Sequence, residues 1–476
     1  MLTRKIEKTI NNWLKTGKNS LLIEGARQVG KTTTIRKVLK ENNIDYVEIN
    51  LIKNNEIVSI LQDVENMSCE KFYERISVAT KHKLIKGKTV IFLDEVQVCK
   101  ELSTKVKFLV EEGSYKYIFS GSLLGIELVS LKSAPVGYMQ IEEMYPLDLM
   151  EFAMALDLPS KAFEMLKESF KKKTPVEKWL HETFMDVFKN YLIVGGMPNA
   201  VQKFVNTHNY NDARKIQKQI IAMYKKDFTQ YETTDKKLRL ICTFNQVPIE
   251  INKQNKRFQI SNIEKGLKYC RAEATFEWLN AAGVTIPIYN TTQPTYPLEL
   301  NKKSNLLKLF LCDVGLLNAM YDEALIYKVL RDDANVNFGA VYENFIAQEL
   351  HAHGYDGFYY NSRQYGEVDF IIQESQKVIP IEVKSGKSYF KHKALDHIMS
   401  NKAYNIENAI VFSNENVSFE EITVAEKSSR DYKFKDLYSI TYFPIYMVMF
   451  IDKSNIEVPE AKLDNIKDAI NKISHN

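Results

Sequence analysis

"LLIEGARQVGKTTTIRKVL" (residues 21–39) decides how the first third of the chain is read. A short apolar run leads into a loop bounded by glycines and then into a helix-period segment, which predicts strand, turn and helix. Gly25 to Thr32 fits G-x-x-x-x-G-K-[ST], a loop that cradles phosphates. Gly25 and Gly30 let the backbone curl, so that the N–H groups of Ala26, Arg27, Gln28 and Val29 point inward at phosphate oxygens. Lys31 reaches the outer phosphates, Thr32 offers a hydroxyl to Mg²⁺, and Thr33 lies in the first helical turn. The helix starts at the phosphates, where its positive dipole end favours negative charge.

A second stretch supports the first. "KTVIFLDEVQ" (88–97) is a continuous apolar run ending in Asp94-Glu95. Such a run reads as a central parallel strand, and acids at its C-terminal end sit where these sheets bind ligands. Asp94 is placed for the Mg²⁺ shell and Glu95 for orienting or deprotonating water; capping of the next helix is the plain alternative. In "YKYIFSGSLLG" (115–125) a third strand ends in Ser120 and Ser122, polar groups placed to sense phosphate or water, although Ser and Gly also make ordinary turns. Residues 1–145 are therefore expected to form an α/β domain that binds and hydrolyses ATP. No N-K-x-D stretch that would read guanine is present, which favours ATP over GTP.

At 476 residues the chain is too long for one core. Its 45% apolar and 26% charged residues are those of an ordinary globular protein, and a net charge of +4 supplies no global field toward nucleic acid. Five scattered cysteines without a C-x-x-C pair argue against a zinc site and against a disulfide framework. No apolar run reaches a membrane-spanning length, so a soluble, cytoplasmic protein is expected. "YSITYFPIYMVMFI" (438–451), interrupted by Pro444, reads as a buried edge strand.

Residues 146–235 are helix-period segments punctuated by Gly195-Gly196-Met197-Pro198, as in a helical lid. From 236 to 320 a helix "KKLRLICTFNQ" ending at Pro248, then "KRFQISNIEKGL", a strong helix "CRAEATFEWLNAAG" and the strand "VTIPIYN" give three helices and then strands, the layout of a winged helix. Its candidate recognition helix carries Arg271 but also Glu273 and Glu277, so DNA contact and protein packing both remain open.

In the last part, "EVDFIIQE" (367–374) and "KVIPIEVK" (377–384) flank Ser375-Gln376, the spacing of a two-residue hairpin. Asp369 then faces Glu382 and Glu367 faces Lys384, all on one face. Opposed carboxylates are destabilising unless a cation lies between them, and Mg²⁺ is one such cation. Half-buried strands with a wet face produce the same alternation without catalysis. Upstream, "GAVYENFIAQELHAHG" (339–354) is an amphipathic helix carrying Glu343 and stopped by Gly354.

"GARQVGKTT", "VIFLDEVQ", "IFSGS", "MYPLDLMEF" (144–152), "YLIVGGMP" (191–198) and "LFLCDVGLL" (309–317) resemble the prokaryotic AAA-type (STAND-like) P-loop ATPases that carry a C-terminal restriction-endonuclease-like domain. The resemblance covers about residues 10–390 and departs at Gly137-Tyr138, where relatives often carry a basic residue. It implies an α/β fold: a P-loop parallel-sheet domain, a helical lid with a winged-helix-like middle, and a nuclease-like α/β domain over 321–476. Glu343, Asp369, Glu382 and Lys384 are similar to the PD-(D/E)xK nuclease core, with Val368 where a proline often stands. Under that resemblance Glu343, Asp369 and Glu382 hold Mg²⁺ and Lys384 assists water. The expected protein couples ATP hydrolysis to cleavage of DNA, with RNA as second candidate, in mobile-element or phage defence. The alternative is an ATP-dependent switch or scaffold whose last domain only binds. A homo-oligomer and a protein partner at the winged-helix-like segment are compatible with either.

Overall fold

A computed structural model of the chain describes residues 2–53, 67–99, 101–122, 137–228, 234–330, 338–386, 388–425 and 434–453. The final segment expected to be helical, around 459–473, lies outside the described residues. The first part comprises α1 (Ile6–Thr16), β1 (Ser20–Glu24), α2 (Lys31–Glu41), β2 (Tyr46–Asn50), α3 (Cys69–Thr80), β3 (Val90–Asp94), α4 (Glu101–Glu112), β4 (Lys116–Gly121) and β5 (Met139–Glu143). The strands form one sheet in the order β2-β3-β4-β1-β5, parallel at every pairing. β3 is buried along its whole length, because a parallel strand between helical layers has no wet face. One apolar cluster containing Leu22, Leu93, Phe119 and Phe72 covers one side of this sheet. On the other side, Leu21, Ile23 and Phe92 belong to a larger core that continues into the rest of the chain.

The helical stretch contains α5 (Leu149–Ala155), α6 (Ser160–Lys172), α7 (Lys178–Val194), α8 (Pro198–Thr207) and α9 (Tyr210–Phe228). α5 begins with a reciprocal cap between Asp148 and Glu151, which satisfies two end amides at once. Gly195 has φ 67° and ends α7, while Pro198 starts α8. The buried Asp313 carboxylate accepts the Gly196 amide at 2.5 Å and the Leu316 amide at 2.8 Å, fixing the glycine turn to a distant part of the sequence.

Then come α10 (Thr234–Ile251), α11 (Tyr269–Ala281), β6 (Thr285–Thr291), β7 (Lys302–Leu311), α12 (Val314–Met320), α13 (Ala324–Leu330), α14 (Gly339–Ala352), β8 (Phe358–Ser362), β9 (Gly366–Glu374), β10 (Lys377–Val383), α15 (Lys393–Ser400), β11 (Asn408–Ser413), β12 (Ser418–Ala425) and β13 (Phe434–Pro444). The eight strands form one mixed sheet, ordered β12-β13-β11-β10-β9-β8-β6-β7.

This sheet corrects four expectations. The strands expected to be the wing of a separate 236–320 domain, β6 and β7, are the end of the large sheet, so the boundary at 320/321 cuts through one hydrogen-bonded layer. α10 continues through Pro248 to Ile251 rather than ending before it. β13 pairs with β11 on one side and β12 on the other, so it is an interior strand, not an edge. α14 is buried on every face from Ala340 to Leu350, not amphipathic. Its polar side chains are used inside: Asn344 accepts from the Leu311 amide and donates to the Leu311 carbonyl, and Gln348 accepts from Val314. These bonds satisfy the end of β7 where the ladder stops.

Candidate functional site

The phosphate-binding loop lies between β1 and α2, at the C-terminal edge of the parallel sheet. Gly25 has φ 144° and Gly30 has φ 96°. A Cβ on Gly25 would also overlap the Met144 carbonyl, so the loop needs glycine there for two reasons. Gln28 adopts φ 69° at the exposed tip, and Asn199 donates to its side chain at 3.1 Å. Val29 and Ala26 are buried, whereas Thr33 is exposed at the start of α2.

Lys31 Nζ donates to the carbonyls of Gly25 and Ala26, both at 2.8 Å. The ammonium therefore folds back onto its own loop, in the space that the outer phosphates would share. Burial pulls its pKa down to about 8, against the pull of Glu95 and Asp94 in the other direction. Asp94 is buried at the end of β3. Thr32 Oγ1 donates to its two oxygens at 3.0 and 3.1 Å, Asn50 Nδ2 donates at 2.7 Å, and Ser120 Oγ donates to Oδ1. Parallel pairing puts Asn50, Asp94 and Ser120 at one level across three strands, which explains the convergence. Hard oxygen donors from Thr32 and Asp94 fit Mg²⁺. Glu95 follows with φ 61°, a left-handed conformation that is costly for a glutamate. Gln97 Nε2 donates to Glu95 Oε2 at 2.6 Å and so orients the carboxylate.

Other parts of the chain close around the loop. Arg27 Nη1 lies 2.5 Å from Asp227 at the end of α9, its Nε donates to Ser122 at 3.3 Å, and Tyr224 donates to the Arg27 carbonyl at 2.9 Å. Arg4 donates to the carbonyls of Val29 and Tyr145 and pairs with Glu151 at 3.1 Å. Gly283, just after α11, packs so closely on Ala26 that a Cβ would lie 3.0 Å from the Ala26 nitrogen. The sequence signalled none of Asn50, Asp227, Tyr224 and Arg4. Asn50 could have been noticed as a polar end to "YVEIN"; the others carry no local pattern.

The second candidate cluster sits on the mixed sheet. β9 and β10 pair antiparallel with Lys377 opposite Glu374 and Ile381 opposite Phe370, the expected register, around Ser375-Gln376 with Ser375 at φ 54°. Both strands are interior, so the expected wet face is absent: Asp369 and Glu382 are buried. Asp369 Oδ2 accepts the Val383 amide at 2.8 Å, and Lys384 pairs with Glu382 at 2.5 Å. Burial, then repulsion from Asp369, pushes Glu382 up to about 8; burial and Asp369 likewise raise Glu343. Glu367 does not meet Lys384 as expected. It lies 2.5 Å from Lys308 of β7, which is also 3.5 Å from Glu343. Lys256 donates to the other Glu343 oxygen. Neither Lys256 nor Lys308 had a signal in the sequence. The acids are thus held by ammonium groups, and among the described residues no three His, Cys, Asp or Glu side chains are gathered for a metal ion. These residues do not fit a divalent metal in this arrangement.

Residues 17–153 match the family model of an AAA domain. Over these residues the N-terminal domain is therefore similar to AAA domains. Residues 185–325 match a domain of unknown function (DUF8612), and residues 338–437 match another (DUF4143). Similar solved structures include the Walker-type ATPase PABY2304 of Pyrococcus abyssi, at 14% identity and TM-score 0.41, covering 67% of this chain and 96% of that one. Cdc6p from Pyrobaculum aerophilum is 14% identical with TM-score 0.24, over 69% and 92% of the two chains. AMPPCP-bound DnaA from Aquifex aeolicus is 10% identical with TM-score 0.27, over 59% and 89%. No curated protein matches the chain. No described helix is long and apolar enough to cross a membrane.

Proposed function

We propose that the chain binds ATP with Mg²⁺, hydrolyses it, and uses the nucleotide state as a switch on the mixed-sheet half of the molecule. The observation that carries the hydrolysis reading is the convergence of Thr32, Asn50 and Ser120 on Asp94, beside a lysine parked on its own loop. Thr32 and Asp94 would hold Mg²⁺, which neutralises charge on the phosphates when bound. Arriving phosphate oxygens replace the Gly25 and Ala26 carbonyls as partners of Lys31, and the loop amides cradle the rest. Glu95, held by Gln97, orients a water for attack on the outermost phosphate. Arg27 supports the switch reading, because it is tied to Asp227 of α9 and lies within the loop that must close on nucleotide. Lys31→Ala is expected to lower ATP turnover by at least about 100-fold, the scale for removing one transition-state donor. Unchanged turnover would refute the assignment.

The nuclease reading is the second. What favours it is that Asp369, Glu382 and Lys384 share one face in the expected register. Under that reading DNA, or RNA, would be the substrate, in a role suited to defence against mobile elements. We place it second because Glu343, Glu367 and Glu382 already have lysine partners. Under the switch reading the mixed-sheet half binds nucleic acid or a protein partner, or a second copy of the chain, without cutting.

A further inference from the structure

Four carboxylates and three ammonium groups meet on the mixed sheet: Glu343, Glu367, Asp369 and Glu382 with Lys256, Lys308 and Lys384. The central group is Lys308. It comes from β7, where it pairs across the ladder with Ile288, and it is wholly buried. Its ammonium lies 2.5 Å from Glu367, 3.5 Å from Glu343 and 4.9 Å from the centre of the Tyr359 ring. Lys256, on the segment after α10, approaches Glu343 from the other side and is largely buried.

Oxygen ligands must lie about 2.0–2.6 Å from Mg²⁺ or Ca²⁺ with their lone pairs free. Here both oxygens of Glu343 face ammonium groups, one oxygen of Asp369 is used by the Val383 amide, and one oxygen of Glu382 is used by Lys384. Lys256 could swing away on its loop. Lys308 cannot, because its Cα is fixed in a strand and its side chain has no solvent to enter. A divalent ion entering beside it would leave a buried ammonium next to a second cation. Burial alone would depress Lys308, but Glu367, Glu343 and Asp369 overcome it and leave the group firmly charged.

We infer that Lys308, assisted by Lys256, is a built-in cation standing where a divalent ion would otherwise bridge these acids, so that the cluster is an ion network that takes no metal even though Glu382 Oε2 is buried without a hydrogen-bond partner. This holds independently of the nucleotide site. It assigns Lys308 the role of compensating charge between the end strands of the sheet and α14, and it makes metal-dependent cleavage by these residues unavailable.

The test is a calorimetric titration of the full chain with Mn²⁺, in an Asp94→Asn background that removes the nucleotide-side ligand. The expected result is no saturable binding up to millimolar Mn²⁺. The variant Lys308→Met/Glu367→Gln, with Lys256→Met added, removes two positive charges and one negative; it should gain one site, tightening by at least tenfold and lost again with Asp369→Asn. The melting curve without metal checks that the variant folds, and Lys308→Met/Glu367→Gln alone, which is charge-neutral, serves as the control. A Mn²⁺ site in the parent that Asp369→Asn or Glu343→Gln abolishes overturns the inference. So does a folded variant lacking Lys256 and Lys308 that still binds nothing, because these two lysines would then not be what keeps metal out. Should the variant not fold, the parent titration still decides the main point.

Discussion

Replacing Glu349 with Gln should change how stability depends on pH. Glu349 is wholly buried on α14, one oxygen accepts the Leu149 amide at 2.9 Å, and the other has no hydrogen-bond partner. Burial first, and then repulsion from Asp148, pushes its pKa up to about 8 from the usual 4.5. A carboxyl whose folded value is raised contributes its stability fully below the unfolded value and loses it as pH rises through the folded one. Between those values the loss is about 1.4 kcal/mol per pH unit, or roughly 2.7 kcal/mol from pH 5 to pH 7. Gln keeps the acceptor for Leu149 and removes the charge. His353, close to the same acids, is raised as well: burial lowers it, but Asp148 and Glu349 outweigh that. Because that raised histidine also loses stability as pH rises, easing it in the variant adds to the gain, and the expected difference is at least about 2.7 kcal/mol. Calorimetric melting of both proteins at pH 5 and pH 7 should show the variant gaining on the parent by about 5–11 °C, taking roughly 2–4 °C per kcal/mol. A difference in Tm that is the same at both pH values refutes the buried-acid argument.

ATP binding should take up a proton near pH 8 and above, because phosphates favour the charged form of a Lys31 that titrates at about 8 in the free protein. Binding enthalpies in buffers of different ionisation heat measure this, and no buffer dependence contradicts it. Gly25→Ala should weaken ATP binding at least tenfold, since the new Cβ meets the Met144 carbonyl in a left-handed backbone; a folded variant with parental affinity removes the argument for that close approach.

The nucleotide-binding half was legible for a physical reason. A phosphate loop is local: glycines, lysine and threonine sit within eight residues, and the strand and helix around them repeat with their own periods. Asp94 was legible as well, because a buried parallel strand must be apolar until it ends. Even the hairpin register could be read, since two residues between strands leave few pairings. What surrounds these residues was not legible. Asn50 and Ser120 reach Asp94 through parallel pairing, and Asp227 reaches Arg27 from 200 residues away.

The difference is sharpest at the acids of the mixed sheet. The sequence by itself determined that Asp369 and Glu382 face one way and that Glu343 lies one helix upstream. Only the tertiary structure decided what stands between them. β6 and β7 look like the wing of a separate unit, yet in the folded chain they extend the same sheet and carry Lys308 beneath α14. Charge compensation of a buried carboxylate depends on distance through space, which alternation along one strand cannot encode. Of the residues that read as a metal site in one dimension, Glu343 and Glu382 are, in three, already paired with lysines, and Asp369 accepts a backbone amide.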